Sequence, residues 1–201
     1  MRADGSGDQH PITLPRPVTR RMGRMDSSTV AFATVPTRLG DVLAAVTEDG
    51  VAATHFRDDP LLRERIADRL GMAVADDPAR TAAAGEELAA YFRGELKEFR
   101  VPVDWRLMSP LQRQVLGTLF ATVPYGEVVT YGELAARSGT GVPARAIGSI
   151  MGANPIPIIV PCHRVVASNG LGGFSGGEGV ESKRWLLTLE GHLPPTLDWD
   201  M

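Results

Sequence analysis

The sequence predicts an α+β protein, with a small mixed N-terminal domain and a mainly helical C-terminal domain. Three observations carry that prediction. Short β-branched and apolar runs, separated by turn residues, crowd into residues 30–56. Apolar residues at helical spacing follow, and they recur through residues 109–152. The character changes near Pro102, after which short helices and glycine-bearing turns replace strands. The chain then divides into a flexible tail over 1–26, an α+β domain over 27–104, a helical domain over 105–192 and a C-terminal tail over 193–201.

Val30 to Val35 reads as a strand, Pro36 to Asp41 as a turn and Val42 to Thr47 as a second strand. Glu48-Asp49-Gly50 makes a hairpin turn into a third strand, Val51 to Phe56. Leu61, Leu62, Ile66 and Leu70 place a helix over Pro60 to Leu70, and another runs from about Arg80 to Arg93. This module holds no nucleophile or ligand cluster. His55 stands alone at a strand end, and a metal site needs several convergent ligands. Ser109-Pro110 opens the next helix, with proline at its first position. Its apolar stripe is Leu111, Val115, Leu116, Leu119 and Phe120. Pro124-Tyr125-Gly126 turns the chain, Val128 to Thr130 is extended, and Tyr131 to Arg137 is a short helix closed by Ser138-Gly139. A loop through Gly141 leads to Pro143 and a third helix ending near Gly152. Short helix, glycine turn, short helix is the outline of a helix-turn-helix, an outline that any helical hairpin shares.

Composition narrows the function. The 201 residues are 43% hydrophobic and 22% charged, which describes a packed chain rather than a disordered one. No run of apolar residues is long enough for a membrane span. A single cysteine, Cys162, excludes an internal disulfide and a cysteine-rich zinc site, and no metal is expected. A net charge of −3 argues against binding nucleic acid by bulk charge alone. Residues 1–26 lack an apolar secretory core, so a cytoplasmic protein is expected, associated with the nucleoid when it is on DNA.

One face of the third helix is nearly bare. Ala144, Gly148 and Gly152 recur at four-residue intervals with Arg145 beside them, while Ile147, Ile150 and Met151 occupy the neighbouring face. Small residues serve close helix packing, or entry into something as narrow as the B-DNA minor groove, about 6 Å wide. Asn154 to Val166 carries three prolines and a β-branched run, and reads as rigid and extended. Cys162 follows a proline there and precedes His163 and Arg164. A thiol reacts as thiolate, and a nearby histidine or arginine favours that form. Adjacent residues of a strand point to opposite faces, so contact between Cys162 and His163 calls for a bridging water or a local bend.

Val160-Pro161-Cys162-His163-Arg164-Val165-Val166 resembles the active-site signature of the O6-alkylguanine-DNA alkyltransferases, also called methylated-DNA–protein-cysteine methyltransferases. Tyr125-Gly126-Glu127-Val128, Tyr131, Ala144-Arg145-Ala146, Asn154-Pro155, Ser175-Gly176-Gly177, Leu186-Leu187 and Glu190-Gly191-His192 follow in the family's order. The resemblance spans about residues 105–192, and reaches 27–104 only as the RNase H-like α+β domain that such proteins carry. It implies DNA repair without a cofactor: one irreversible transfer of an alkyl group from O6 of guanine, in double-stranded DNA, to Cys162. Minor-groove binding and base flipping precede the transfer.

The resemblance also implies residue roles. His163 is the base, acting through a water, and Glu190 orients it. Asn154 ties the third helix to the active-site turn, and Tyr131 donates to guanine N3. Arg145 fills the gap left by the flipped nucleotide. Ala144, Gly148, Ser149 and Gly152 form the DNA-binding face, and Met151, Val165, Phe174 and Ser175 surround the substrate pocket. Arg164 is expected in a structural ion pair. Two departures stand out. The family usually has tyrosine where Phe174 stands, and the segment from Cys162 to Ser175 is a residue shorter than the commoner spacing. The cysteines that hold zinc in some family members are missing. A monomer is expected, with clustering along DNA left open.

Three other readings compete. A non-reacting module that recognises alkylated bases fits the helices, but such relatives replace the cysteine. A cysteine hydrolase needs an oxyanion site of which the sequence gives no sign. A transcription regulator is poorly served by a small-residue third helix in the major groove.

Overall fold

The computed structural model describes residues 28–195; the tail assigned to 1–26 and the end of the 193–201 segment lie outside the described residues. Strands β1 (Thr29–Thr37), β2 (Gly40–Thr47) and β3 (Gly50–His55) form an antiparallel meander. Arg38-Leu39 is the whole of the first turn, tighter than the Pro36 to Asp41 expected from sequence. Pro36 lies inside β1, opposite Asp41. It is tolerated because β4 pairs with β1 only at Thr29, Val30 and Ala31, so the proline's missing N–H faces a free edge.

Helix α1 (Pro60–Leu70) carries the chain across to β4 (Ala73–Ala75), which runs parallel to β1 and completes the order β3-β2-β1-β4. No strand is predicted over β4, since alternation cannot show in three residues of which two are exposed. Helices α1 and α2 (Pro78–Phe92) begin on the same signal. Asp59 accepts from the Leu62 N–H at 2.8 Å and Asp77 from the Arg80 N–H at 3.1 Å, each with proline following. Such a cap contributes about 1 kcal/mol. Asp77-Pro78 is the reason α2 starts before the expected Arg80.

Alternation along β2 gives the sheet two buried faces. Leu43 and Ala45 join Leu62, Ile66 and Met72 under α1. Val42, Ala44 and Val46 join a larger core that takes in Leu88 and Tyr91 of α2 and continues into the C-terminal half. Leu61, expected on the apolar face of α1, is 69% exposed; it lies one position round the helix from the Leu62–Ile66 stripe.

The C-terminal half is built on three helices. α3 (Pro110–Thr122) opens with a capping box between Ser109 and Gln112, and α4 (Tyr131–Ser138) with another between Thr130 and Glu133. α4 ends at Gly139, whose φ of 63° suits glycine. α5 (Ala144–Gly152) packs with α3 and α4, completing the helix-turn-helix. Val115, Leu116 and Leu119 bury one side of α3. Leu111 and Phe120 flank that side and stay partly exposed, Phe120 packing edge-on against Trp105. β5 (Val129–Thr130) pairs in parallel with β6 (Val165–Val166), and α6 (Val180–Leu189) closes the fold. Among the described residues no helix is long and apolar enough to cross a membrane.

Candidate active site

The segment after α5 is a braced turn, not the extended run expected. Asn154 holds it from inside: its Nδ2 donates to the Val160 carbonyl at 2.8 Å, and its Oδ1 accepts from the Ile156 N–H at 3.0 Å. β3 holds it from outside. Thr54 donates its backbone N–H to the Pro155 carbonyl at 3.0 Å and its hydroxyl to the Pro157 carbonyl at 2.6 Å. Between these braces Ile158 adopts φ 75°. That conformation costs a β-branched residue about 1–3 kcal/mol and persists only where its surroundings impose it.

Cys162, His163 and Arg164 then form one turn of 3₁₀ helix, so Cys162 and His163 do not alternate as strand neighbours would. All three are buried. Burial pushes the Cys162 thiol above its ordinary pKa, against opposing pulls from Asn154 and Lys183. The resting sulfur is therefore a neutral thiol. Burial also lowers the pKa of His163, outweighing the Glu190 carboxylate beside it. His163 Nε2 lies 2.8 Å from Glu190 Oε1. A carboxylate only accepts, so Nε2 carries the proton and Nδ1 is the basic nitrogen. Nδ1 is buried and has no hydrogen-bond partner in the protein.

Glu190 caps the C-terminal end of α6, where the helix dipole disfavours an anion. Its partners compensate. Arg164 grips it with Nε and Nη2, each at 2.9 Å, as the expected structural ion pair. The Tyr91 hydroxyl donates to Oε1 at 2.7 Å, and the Gly126 N–H to Oε2 at 3.3 Å. Burial alone would raise the Glu190 pKa; hydrogen bonds from His163 and Arg164 outweigh it and hold the group well below the carboxylate range.

A mostly apolar cavity of about 630 Å³ opens above Cys162. Tyr131, Arg145, Met151, Phe174 and Ser175 line it, with the bare stripe of Ala144, Gly148 and Gly152 along one side. The Tyr131 hydroxyl donates to the Gly173 carbonyl at 3.4 Å. Gly172, at φ 71°, lies against the Tyr131 ring too closely for any side chain. Two residues expected around the site stand apart. Ser149 is exposed on α5 outside the cavity wall, and Val165, in β6, sends its side chain into the core.

Sequence reasoning missed Lys183 and Tyr91. The Lys183 Nζ donates to the carbonyls of Val165 at 2.6 Å and Gly173 at 3.1 Å, tying the loop after Cys162 to α6. Burial brings its pKa down to about 8, against the pull of Cys162. A lysine in so arginine-rich a chain was the one available signal. Tyr91 offered none, because helical spacing marks it only as core.

A buried thiol next in sequence to an imidazole–carboxylate pair, under a cavity bordered by a helix-turn-helix, fits the class of DNA-binding proteins that react through cysteine. Residues 110–192 match the family of the 6-O-methylguanine DNA methyltransferase DNA-binding domain. A methylated-DNA–protein-cysteine methyltransferase of Mycolicibacterium paratuberculosis is 47% identical over 124 residues, 61% of this chain and 73% of that protein. The human protein of the same name is 46% identical over 114 residues, 52% of this chain and 53% of that one. The crystal structure of Mycobacterium tuberculosis O6-methylguanine methyltransferase has a TM-score of 0.66 at 36% identity, covering 84% of this chain and 98% of that one. That organism's OGT in complex with DNA has a TM-score of 0.66 at 35% identity, covering 81% and 93%. The chain belongs to the methylated-DNA–protein-cysteine methyltransferases. It is a DNA-repair transferase that moves an alkyl group from DNA onto itself, once per molecule.

Proposed function

We propose that Cys162 is the acceptor and that its substrate is O6-alkylguanine in double-stranded DNA. The observation that carries this reading is His163: buried, oriented by Glu190 through Nε2, and basic at an Nδ1 that has no protein partner. A water on Nδ1 passes the Cys162 proton to the ring, and the imidazolium is stabilised by Glu190. The thiolate attacks the alkyl carbon in line. A carbon–sulfur bond forms and the carbon–O6 bond breaks, its electron pair going to O6. Tyr131 lines the cavity and donates to guanine N3, so charge on the departing base is relieved. The proton that the thiol gave up balances the one that guanine finally takes. No cofactor takes part, and the thioether ends the molecule's working life.

The base must leave the stack to reach a thiol on a cavity floor. The stripe of Ala144, Gly148 and Gly152 lets α5 enter the minor groove, and exposed Arg145 fills the vacated place. Ser149 supports the same face. Met151, Phe174 and Ser175 pack around the flipped base. Residues 27–104 brace the site and 105–192 bind DNA and react. The protein acts as a cytoplasmic monomer, free to cluster along DNA. Intact-protein mass spectrometry after incubation with a duplex bearing one O6-methylguanine tests this. Wild type gains one methylene and stops there, while Cys162→Ser gains nothing. Tight binding of the lesion duplex without any gain would make this a recognition module instead.

A further inference from the structure

Cys162 stands between two cavities. The first is the one proposed to hold the flipped guanine. The second, about 440 Å³, shares Met151, Gly152, Cys162, Phe174 and Ser175 with it, and its far wall comes from residues 54–57 of the N-terminal half, Phe56 among them. A water molecule's share of liquid volume is about 30 Å³. The second cleft therefore offers much more room than a methyl group uses.

Phe56 closes this cleft against the loop that follows Cys162. Its ring meets Phe174 edge-on, with centroids 6.0 Å apart and planes at 80°. Gly176 lies so close that a methyl group there would collide with the rings of Phe56 and Phe174. Space, not backbone conformation, demands glycine at that position, because its φ lies outside the left-handed region. The same stretch of chain supplies Thr54, which braces the turn before Cys162. Thr54 holds the sulfur's turn in place, and two residues on Phe56 bounds the space beside it.

We propose that Phe56 sets the size of the O6-substituent that the protein accepts. The second cleft receives alkyl groups longer than methyl, and the Phe56 ring is its limiting wall. This rests on Cys162 being the acceptor. In an in-line displacement the sulfur, the α-carbon and O6 share one axis, so the rest of the alkyl chain projects sideways from it. The guanine fills the first cavity. The chain then enters the cleft that adjoins it at Cys162. The bonds that change are those of methyl transfer: carbon–sulfur forms at the α-carbon, and carbon–O6 breaks with its electron pair passing to the base.

The test compares duplexes carrying one O6-methylguanine or one O6-butylguanine. Wild type, Phe56→Ala and Phe56→Leu react with each, and alkylation is followed by the mass of the Cys162 peptide. The butyl-to-methyl rate ratio rises about tenfold in Phe56→Ala and by a smaller factor in Phe56→Leu, since a few methylenes of pocket space discriminate on that scale. General loosening of the loop slows both reactions and cancels in the ratio. A ratio that falls, or moves less than about twofold in both variants, overturns the role of Phe56. Phe56→Leu decides alone if Phe56→Ala does not fold. If wild type alkylates Cys162 from neither duplex, the acceptor reading falls and this proposal with it. If wild type reacts and the ratio stays put, only the proposal falls.

Discussion

Glu190 shows how a single residue can be unfavourable by itself and held by its partners. An anion at a helix C-terminus opposes the dipole, and burial adds a further cost. Arg164 supplies the opposite charge, with Tyr91 and the Gly126 N–H filling the remaining acceptor positions. Arg164→Met strands the carboxylate, and urea unfolding should show a loss of about 3–5 kcal/mol. Glu190→Gln has a different signature. The neutral amide no longer stabilises the imidazolium, and its NH₂ can donate to Nε2, which moves the ring proton to Nδ1 where the base is needed. Methyl transfer by the folded fraction, timed under single-turnover conditions, should fall about 10²-fold or more. A rate within a few-fold of wild type would remove His163–Glu190 from the proton path.

The elements differ in how much of themselves they announce. A helix start is written locally where a cap precedes a proline: Ser109-Pro110 was read that way, while the same kind of signal at Asp77-Pro78 was not, and α2 was expected to start at Arg80. The 3₁₀ turn at Cys162 was not legible. The turn that leads into it is braced by Asn154 and by Thr54, which lies 103 positions away in the chain from Pro157, and no local pattern encodes that. Cys162 with His163 and Arg164 beside it stood out from the residues themselves, whereas Glu190 was tied to them only through the resemblance. Bringing His163 onto Glu190 takes 27 positions of separation, and Tyr91 joins from 99. The bare stripe of α5 was legible as a pattern, though its purpose depends on what it meets. Ala144 is exposed at the start of α5, so Ala144→Leu leaves the core alone and puts bulk on the stripe. Affinity for a lesion-bearing duplex should fall about tenfold, a difference of 1.4 kcal/mol, with the melting temperature unchanged. Unchanged affinity in a fluorescence-anisotropy titration would remove α5 from the groove.

At the scale of the whole molecule, one core runs from the sheet through α2 into the C-terminal helices and takes in Cys162, so a change at the sulfur acts on packing shared by both halves. Cys162 is buried but borders two cavities, and a methyl group on its sulfur that they do not absorb overpacks the site at about 1–3 kcal/mol. For a chain of this size the melting temperature of the methylated protein should lie about 2–10 °C below that of the free protein. Equal values by scanning calorimetry would show that the cavity absorbs the group. Acid acts on the whole fold as well. His163 and Glu190 both titrate below their ordinary values of 6.5 and 4.5 in the folded protein. The unfolded chain therefore takes up protons that the folded one refuses, and stability falls as pH drops below 6.5, more steeply below 4.5. Urea midpoints at successive pH values should decline in that order. The raised pKa of Cys162 has a last consequence, which concerns storage. A reagent spent in one use is worth only what survives until its target arrives. A thiol kept protonated and out of solvent is a poor target for peroxides and stray electrophiles, which seek exposed thiolate. If, as proposed, the nucleophile is generated through His163 only when it is needed, the protein keeps its one shot unspent.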